Sequence, residues 1–280
     1  MEIFKRLFGT REKIDWDKVR ESLKPKIEGL KRPAVKLRKS SSRKKSKFGG
    51  KPFVDRYDFE WPRSNGKPMA FLAQIDLSEI SKVLDYDWLP KQGALLFFYD
   101  VIEMPWGFDP KDRGGWSVLY QIKPDGFSDF PLDLTDECKI METFIEPVLE
   151  QILPNYDHPS VEELGLTDEE VDVYIDIVES DNEPSHQIGG FPSTVQGNYM
   201  ELDSQLASHG VFVGDPKGYK SDEAKSLESG AKDWKLLFQF DSDDDLNIMW
   251  GDCGMIYFWV QEQKSKMGLF DNCWLILQCS

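Results

Sequence analysis

The run Trp234-Lys235-Leu236-Leu237-Phe238-Gln239-Phe240-Asp241, the acidic stretch Ser242-Asp243-Asp244-Asp245 after it, and then Gly254-Met255-Ile256-Tyr257-Phe258-Trp259-Val260 read as strand, carboxylate-rich loop, strand. In the first run Leu236, Phe238 and Phe240 share one face and Leu237, Gln239 and Asp241 the other, because side chains alternate along a strand with period two. The second run is apolar at successive positions, which suits a strand covered on both faces, and Asp252, Cys253 and Gly254 supply its turn.

The pattern occurs earlier as well. Phe71-Leu72-Ala73-Gln74-Ile75-Asp76 matches Leu236 to Asp241 position by position, and Gly93 to Tyr99 matches Gly254 to Val260. Upstream, Phe48-Gly49-Gly50-Lys51-Pro52 pairs with Ile188-Gly189-Gly190-Phe191-Pro192. Three elements in the same order predict a duplicated half-domain, with half-repeats at roughly 48–100 and 186–260. The expected class is α+β: a mostly antiparallel sheet built from two half-repeats, with a few flanking helices. Residues 1–48 are expected to form an attached helix and basic arm, and 49–280 a single domain. Gln74 and Gln239 should then lie on equivalent strands related by an approximate two-fold axis.

With 280 residues, 40% of them apolar and 30% charged, the composition is that of a globular chain with a sizeable core. No run approaches the ~20 apolar residues that span a bilayer, and Met1 to Phe8 lacks the apolar centre of a signal peptide, so a cytoplasmic protein is expected. Cys138, Cys253, Cys273 and Cys279 show no CxxC spacing and read as reduced, buried thiols. His158, His186 and His209 stand too far apart for a zinc motif, and no metal or cofactor is expected. Charge is divided unevenly: residues 1–48 carry 17 Lys+Arg against 6 Asp+Glu, and residues 49–280 carry 17 against 44. An acidic body repels nucleic acid and favours a cationic protein partner.

Along the chain, Lys13 to Leu30 reads as an amphipathic helix with Trp16, Val19, Leu23 and Ile27 on one side, kinked or ended by Pro25. The basic run 31–47 is the one place where nucleic acid could be met; an edge strand at Val35 and Leu37 with solvated lysines, or an arm along the acidic body, is the favoured reading. Trp116 to Ile122 reads as a strand, and residues 138–149 fit either a helix or an edge strand containing Pro147. Thr167 and Glu170 make a capping box ahead of Val171, Tyr174, Ile175 and Val178. A helix from Met200 to Ser208 stops at Gly210, a mobile loop runs from Gly214 to Gly230, and Phe270 to Cys279 ends the chain as a core strand.

Taken together, Gly49-Gly50-Lys51-Pro52, Trp61-Pro62, Gly66-Lys67-Pro68-Met69, Phe71 to Asp76, His186-Gln187-Ile188-Gly189-Gly190, Leu236 to Asp245 and Trp250-Gly251-Asp252-Cys253-Gly254 resemble the YwqG-like family. The resemblance implies a bacterial, cytosolic protein with a compact mixed fold, no catalytic residues to carry over, and for some members an immunity role in toxin systems. The basic run 31–47 is heavier in charge than the family pattern.

Two constellations bear on chemistry. Gln74 and Asp76 with Gln239, Asp241 and His186 form a polar site if the halves face each other, where two carboxylates could share a proton beside a base; this is the small-hydrolase reading. The competing reading makes each Asp a turn cap and each Gln a partner of backbone groups. Asp243, Asp244, Asp245, Trp250 and Asp252 form a candidate acidic partner-binding loop. Its spacing begins like a calcium loop, but Leu246 stands where the sharp turn needs glycine. A non-catalytic protein-binding module is therefore the leading expectation.

Overall fold

The computed structural model describes residues 14–181 and 183–280; the readings placed on Met1 to Lys13 lie outside them. The helices among the described residues are α1 (Trp16–Ile27), α2 (Leu77–Val83), α3 (Pro159–Glu162), α4 (Asp168–Val178), α5 (Met200–Ser208), α6 (Asp222–Leu227) and α7 (Glu262–Lys266). The strands are β1 (Arg32–Lys39), β2 (Lys47–Phe48), β3 (Phe53–Val54), β4 (Arg63–Ser64), β5 (Lys67–Pro68), β6 (Ala70–Asp76) and β7 (Ala94–Tyr99). They continue as β8 (Trp116–Gln121), β9 (Gly126–Phe127), β10 (Thr143–Ile152), β11 (Gln187–Ile188), β12 (Trp234–Asp241), β13 (Met255–Gln261) and β14 (Trp274–Gln278). The chain divides into two compact units, Met1–Lys31 with Leu153–Asn182, and Arg32–Ile152 with Glu183–Ser280.

The smaller unit is helical. Leu23 and Ile27 of α1 and Val173 and Tyr174 of α4 form its core with Val161. The α4 capping box is present: Thr167 Oγ1 accepts from Glu170 N–H at 3.3 Å and Glu170 Oε2 from Thr167 N–H at 3.2 Å. Its buried stripe centres on Val173 and Tyr174, not on Val171 and Ile175, which are only partly covered. α1 runs through Pro25, which lies in its last turn where only one intrahelical bond is lost; Trp16 at the other end is 47% exposed.

The larger unit is a ten-stranded sheet in the order β14-β13-β12-β11-β1-β10-β2-β6-β7-β8, with every pairing antiparallel. β1 and β10 form a central ribbon. Each side of it carries a four-stranded wing, β11-β12-β13-β14 on one and β2-β6-β7-β8 on the other, in the same internal order. The sheet curls so that the inner faces of the wings pack together: Phe97 lies 4.7 Å from Phe238 and 5.1 Å from Phe258, and Tyr99 lies 5.7 Å from Trp250, ring centre to ring centre.

The wings also agree atom by atom. Gln74 on β6 accepts from Phe53 N–H (2.8 Å) and donates to Lys45 O (3.5 Å); Gln239 on β12 accepts from Ser193 N–H (2.9 Å) and donates to Ser185 O (2.6 Å). Gln121 accepts from Asp55 N–H as Gln278 does from Val195 N–H. A register shift falls between Phe71 and Ala73 in one wing and between Leu236 and Phe238 in the other. Both Gly-Gly pairs have positive φ, 55° and 70° at Gly49 and Gly50, 63° and 70° at Gly189 and Gly190. A Cβ on Gly49 would meet Ile140 O at 2.4 Å, so glycine is required by the close approach as well as by the angle.

Three sequence expectations change. β1 is central instead of an edge, lying between β10 and β11, because Ala34, Val35 and Leu37 are buried and its cations have partners: Arg38 with Glu150 at 2.8 Å and Lys36 Nζ with Ser185 Oγ at 2.7 Å. Residues 143–152 are strand, so the helical reading of 138–149 fails; Pro147 is accommodated because Leu37 N–H points to His186 O, away from β10. Leu37 and Pro147 are therefore a non-hydrogen-bonded pair, and the missing N–H lies on the side where β2 has already ended. Finally, the stretch from Gly214 to Gly230 holds α6, capped by Ser221 Oγ accepting from Ala224 N–H at 3.1 Å.

Candidate functional site

His186 lies one residue before β11, with 2% of its surface exposed, between Phe48 and Phe240. Its Nδ1 accepts from Asp241 N–H at 3.1 Å, which fixes the proton on Nε2, and Nε2–H donates to Asp243 Oδ2 at 3.1 Å. Lys39 Nζ reaches Asp243 at 2.7 Å and Asp245 at 2.6 Å. Burial lowers the His186 pKa despite the Asp243 carboxylate, so the ring is neutral. Burial also works against the charge on Asp243, but the His186 and Lys39 hydrogen bonds outweigh it and hold the carboxyl at about 2. Asp241 is pushed upward by burial, against a 2.8 Å bond from Ser185 N–H.

The corresponding position in the other wing is Ser46, whose Oγ accepts from Asp76 N–H at 2.9 Å. The structure thus brings His186, Asp241 and Asp243 together and leaves Gln74 and Asp76 in the other wing. Asp76 caps α2, accepting from Ser78 N–H at 3.0 Å and Glu79 N–H at 3.1 Å, and pairs with Lys45 at 3.4 Å. Gln74 and Gln239 brace the Gly-Gly loops from the outer faces of their wings. They do not converge, because each is paired across its ladder with an outward residue, Leu96 and Tyr257, while Phe97 and Phe258 point inward.

In the acidic loop Asp243 and Trp250 are buried at 3% and 1% exposure, so only Asp244, Asp245 and Asp252 stand on the surface. Asp243 caps the turn, accepting from Asp245 N–H at 3.0 Å, and Leu246 is buried beneath it. The loop oxygens that a calcium ion would need from Asp243 and Asp245 are engaged by Lys39. Cys253, expected among buried thiols, is exposed.

A cavity of about 580 Å³ opens in the first wing. The loop before β2 lines one wall with Arg43, Lys44 and Lys45. Phe53 of β3 and Phe127 of β9 pack edge to face at 5.0 Å on another wall, with Ile122 at the rim and Phe144 of β10 within. At its base Lys47 Nζ lies 5.2 Å from the Phe127 ring centre, donates to Lys51 O at 2.7 Å and pairs with Glu142. Neither an edge strand with solvated lysines nor an arm along the acidic body, the two favoured readings of the basic run, places these residues around a cavity. The signal was available in the matched motifs: residues 43–47 hold four cations, and the aligned 183–187 hold none.

The fold and this arrangement define a class: a curled antiparallel sheet of two like wings, one holding a buried histidine and the other a cavity lined by cations and rings. The chain belongs to the family described as "Domain of unknown function (DUF1963)", whose model matches residues 46–279. No curated protein matches the chain. Among the described residues no helix is long and apolar enough to cross a membrane.

Proposed function

We propose that this chain acts by binding and not by catalysis. What supports the reading is the state of His186: both ring nitrogens are committed, one to a backbone N–H and one to Asp243, in a site with no room for a substrate. A hydrolase would need one of them, or Asp241, free to move a proton. Asp241 is itself held by Ser185 N–H. The duplication of one half-domain, the finer YwqG-like assignment and a cytoplasmic, bacterial setting belong to the same proposal. The repeated Gln and Gly-Gly geometry supports the first of these.

The partner class that fits the charge is a cationic protein, with an immunity-like role as its specific form. From Leu153 to Asp181 the chain has ten Asp and Glu and no Lys or Arg. On α4 the exposed Asp168, Asp172 and Asp176 lie four residues apart on one face. Affinity capture from the native cell at ~50 mM and ~500 mM salt tests this. A basic protein retained at low salt by the wild type, and lost by the Asp168→Asn, Asp172→Asn, Asp176→Asn variant, is expected. Turnover of a small substrate that is abolished by Asp241→Asn in a protein that still folds would overturn the binding reading.

A further inference from the structure

The cavity in the first wing has the size of a small-molecule site, for which about 300–1,000 Å³ is usual. Its chemistry is divided. Phe53, Phe127 and Phe144 offer flat apolar surface, and Ile122 and Phe127 are 69% and 49% exposed at the opening. The opposite wall is cationic. Two carboxylates also line the cavity, Asp76 and Glu142, and each already has a cation, Lys45 at 3.4 Å and Lys47 respectively. Lys44 pairs with Glu146 at 3.0 Å, and Arg43 has no ion-pair partner among the described residues. In a chain of net charge −16 the cavity is lined by four cations against two carboxylates, and a guanidinium stands unclaimed at its mouth.

The second wing carries different side chains at the matching places. Its counterparts of Lys45, Lys47 and Phe53 are Ser185, Gln187 and Ser193. There Ser185 Oγ lies 3.1 Å from Ser193 Oγ and accepts from Gln239 Nε2 at 3.0 Å and from Lys36 Nζ at 2.7 Å. The same backbone frame, with the same Gln brace, carries cations and rings in one wing and hydroxyls and an amide at the matching places in the other. The difference lies in side chains that supply positive charge and aromatic surface.

We infer that the first wing binds a small organic anion: a phosphate or carboxylate head against Arg43 and Lys45, and a flat or acyl apolar body between Phe53, Phe127 and Phe144. The head gains charge-assisted hydrogen bonds from a fork that matches its oxygens, and the body removes exposed apolar surface from water. This site shares no residue with the acidic face of α4, so its failure and the failure of the partner reading are separate results.

Calorimetric titration of the full chain with 2-naphthyl phosphate tests the inference, with inorganic phosphate and 2-naphthol as probes of the head and the body alone. One saturable site is expected, with each half-probe weaker by about tenfold or more. The double variant Arg43→Ala, Lys45→Ala should lose about tenfold in affinity, and Ile122→Glu, an exposed position where folding is not at risk, should lose as much. Lys264→Ala on α7 should change nothing. Equal binding of either half-probe, indifference to both the Arg43→Ala, Lys45→Ala variant and Ile122→Glu, or no saturation up to about 5 mM would overturn it.

Discussion

His186 and Ser46 occupy matching places in the two wings and do the same first task, accepting the N–H at the end of β12 or β6. The imidazole then does a second, holding Asp243. His186→Ala removes an acceptor, a donor and a ring packed on Phe48 and Phe240, and should cost about 3 kcal/mol in urea unfolding. The pH dependence has a definite sign. The folded His186 pKa lies below its ordinary 6.5, so its contribution is complete above pH 6.5 and is lost as pH falls below it. Asp243, held at about 2, adds stability that is present above pH 3.8 and lost as pH falls toward 2. Asp203 acts in the opposite sense. Burial raises it to about 6 although Tyr219 Oη donates to it at 2.6 Å, so the stability it lends at low pH is lost as pH rises through 6. Asp203→Asn keeps an acceptor for Tyr219 and should raise stability at pH 8 by about 2–3 kcal/mol, with no gain at pH 4. A variant that is less stable at pH 8 would show that Asp203 carries its charge without cost.

At the scale of elements, the ladder between β1 and β10 makes a sharp distinction between neighbouring residues. Lys36 and Val148 are a hydrogen-bonded pair, and Leu37 and Pro147 are not. Val148→Pro should therefore cost about 3 kcal/mol or more in thermal or denaturant unfolding, while Pro147→Val should change little, within about 1 kcal/mol. Equal effects would mean the register is misassigned. The strands that could be read from sequence, β6, β7, β8, β12, β13 and β14, are those whose apolar pattern or Gly boundary declares itself locally. β1 and β10 could not be, because Lys36, Arg38 and Pro147 argue against a central position, and only their partners reverse that argument. The α4 start was legible because a capping box is a local device; Thr167→Ala should cost about 1 kcal/mol. α6 was not, since its short run among Gly, Lys and Ser has one fully covered apolar residue, Ala224.

For the whole molecule, the charge imbalance visible in the sequence is real, but its placement was only half legible. Most of the acidic excess stayed on surfaces, as composition implies, with Glu170, Asp203 and Asp243 among the buried exceptions. The basic run was drawn into the sheet and around a cavity, which composition does not imply; Lys39, Lys44, Lys45 and Lys47 each meet a carboxylate distant in sequence. Self-repulsion of the remaining acidic groups should make the protein more stable in salt, and melting temperature should rise by about 3 °C between ~0.05 and ~0.5 M sodium chloride. A fall would indicate that the ion pairs of the basic run outweigh the repulsion.

β2 and β11, the strands that join each wing to the central ribbon, are two residues long. The sheet is in effect a perforated strip: ten strands wide, but with two lines along which only a pair of residues holds neighbouring pieces in plane. Tearing follows perforations. When the molecule opens below its global unfolding threshold, each wing should come away whole, and the amides of β6, β7 and β8 should exchange with solvent deuterium as one cohort and those of β12, β13 and β14 as another. The bond that guards each line is the glutamine brace, so Gln74→Ala should release the first cohort early and leave the second on its original schedule, with Gln239→Ala doing the reverse.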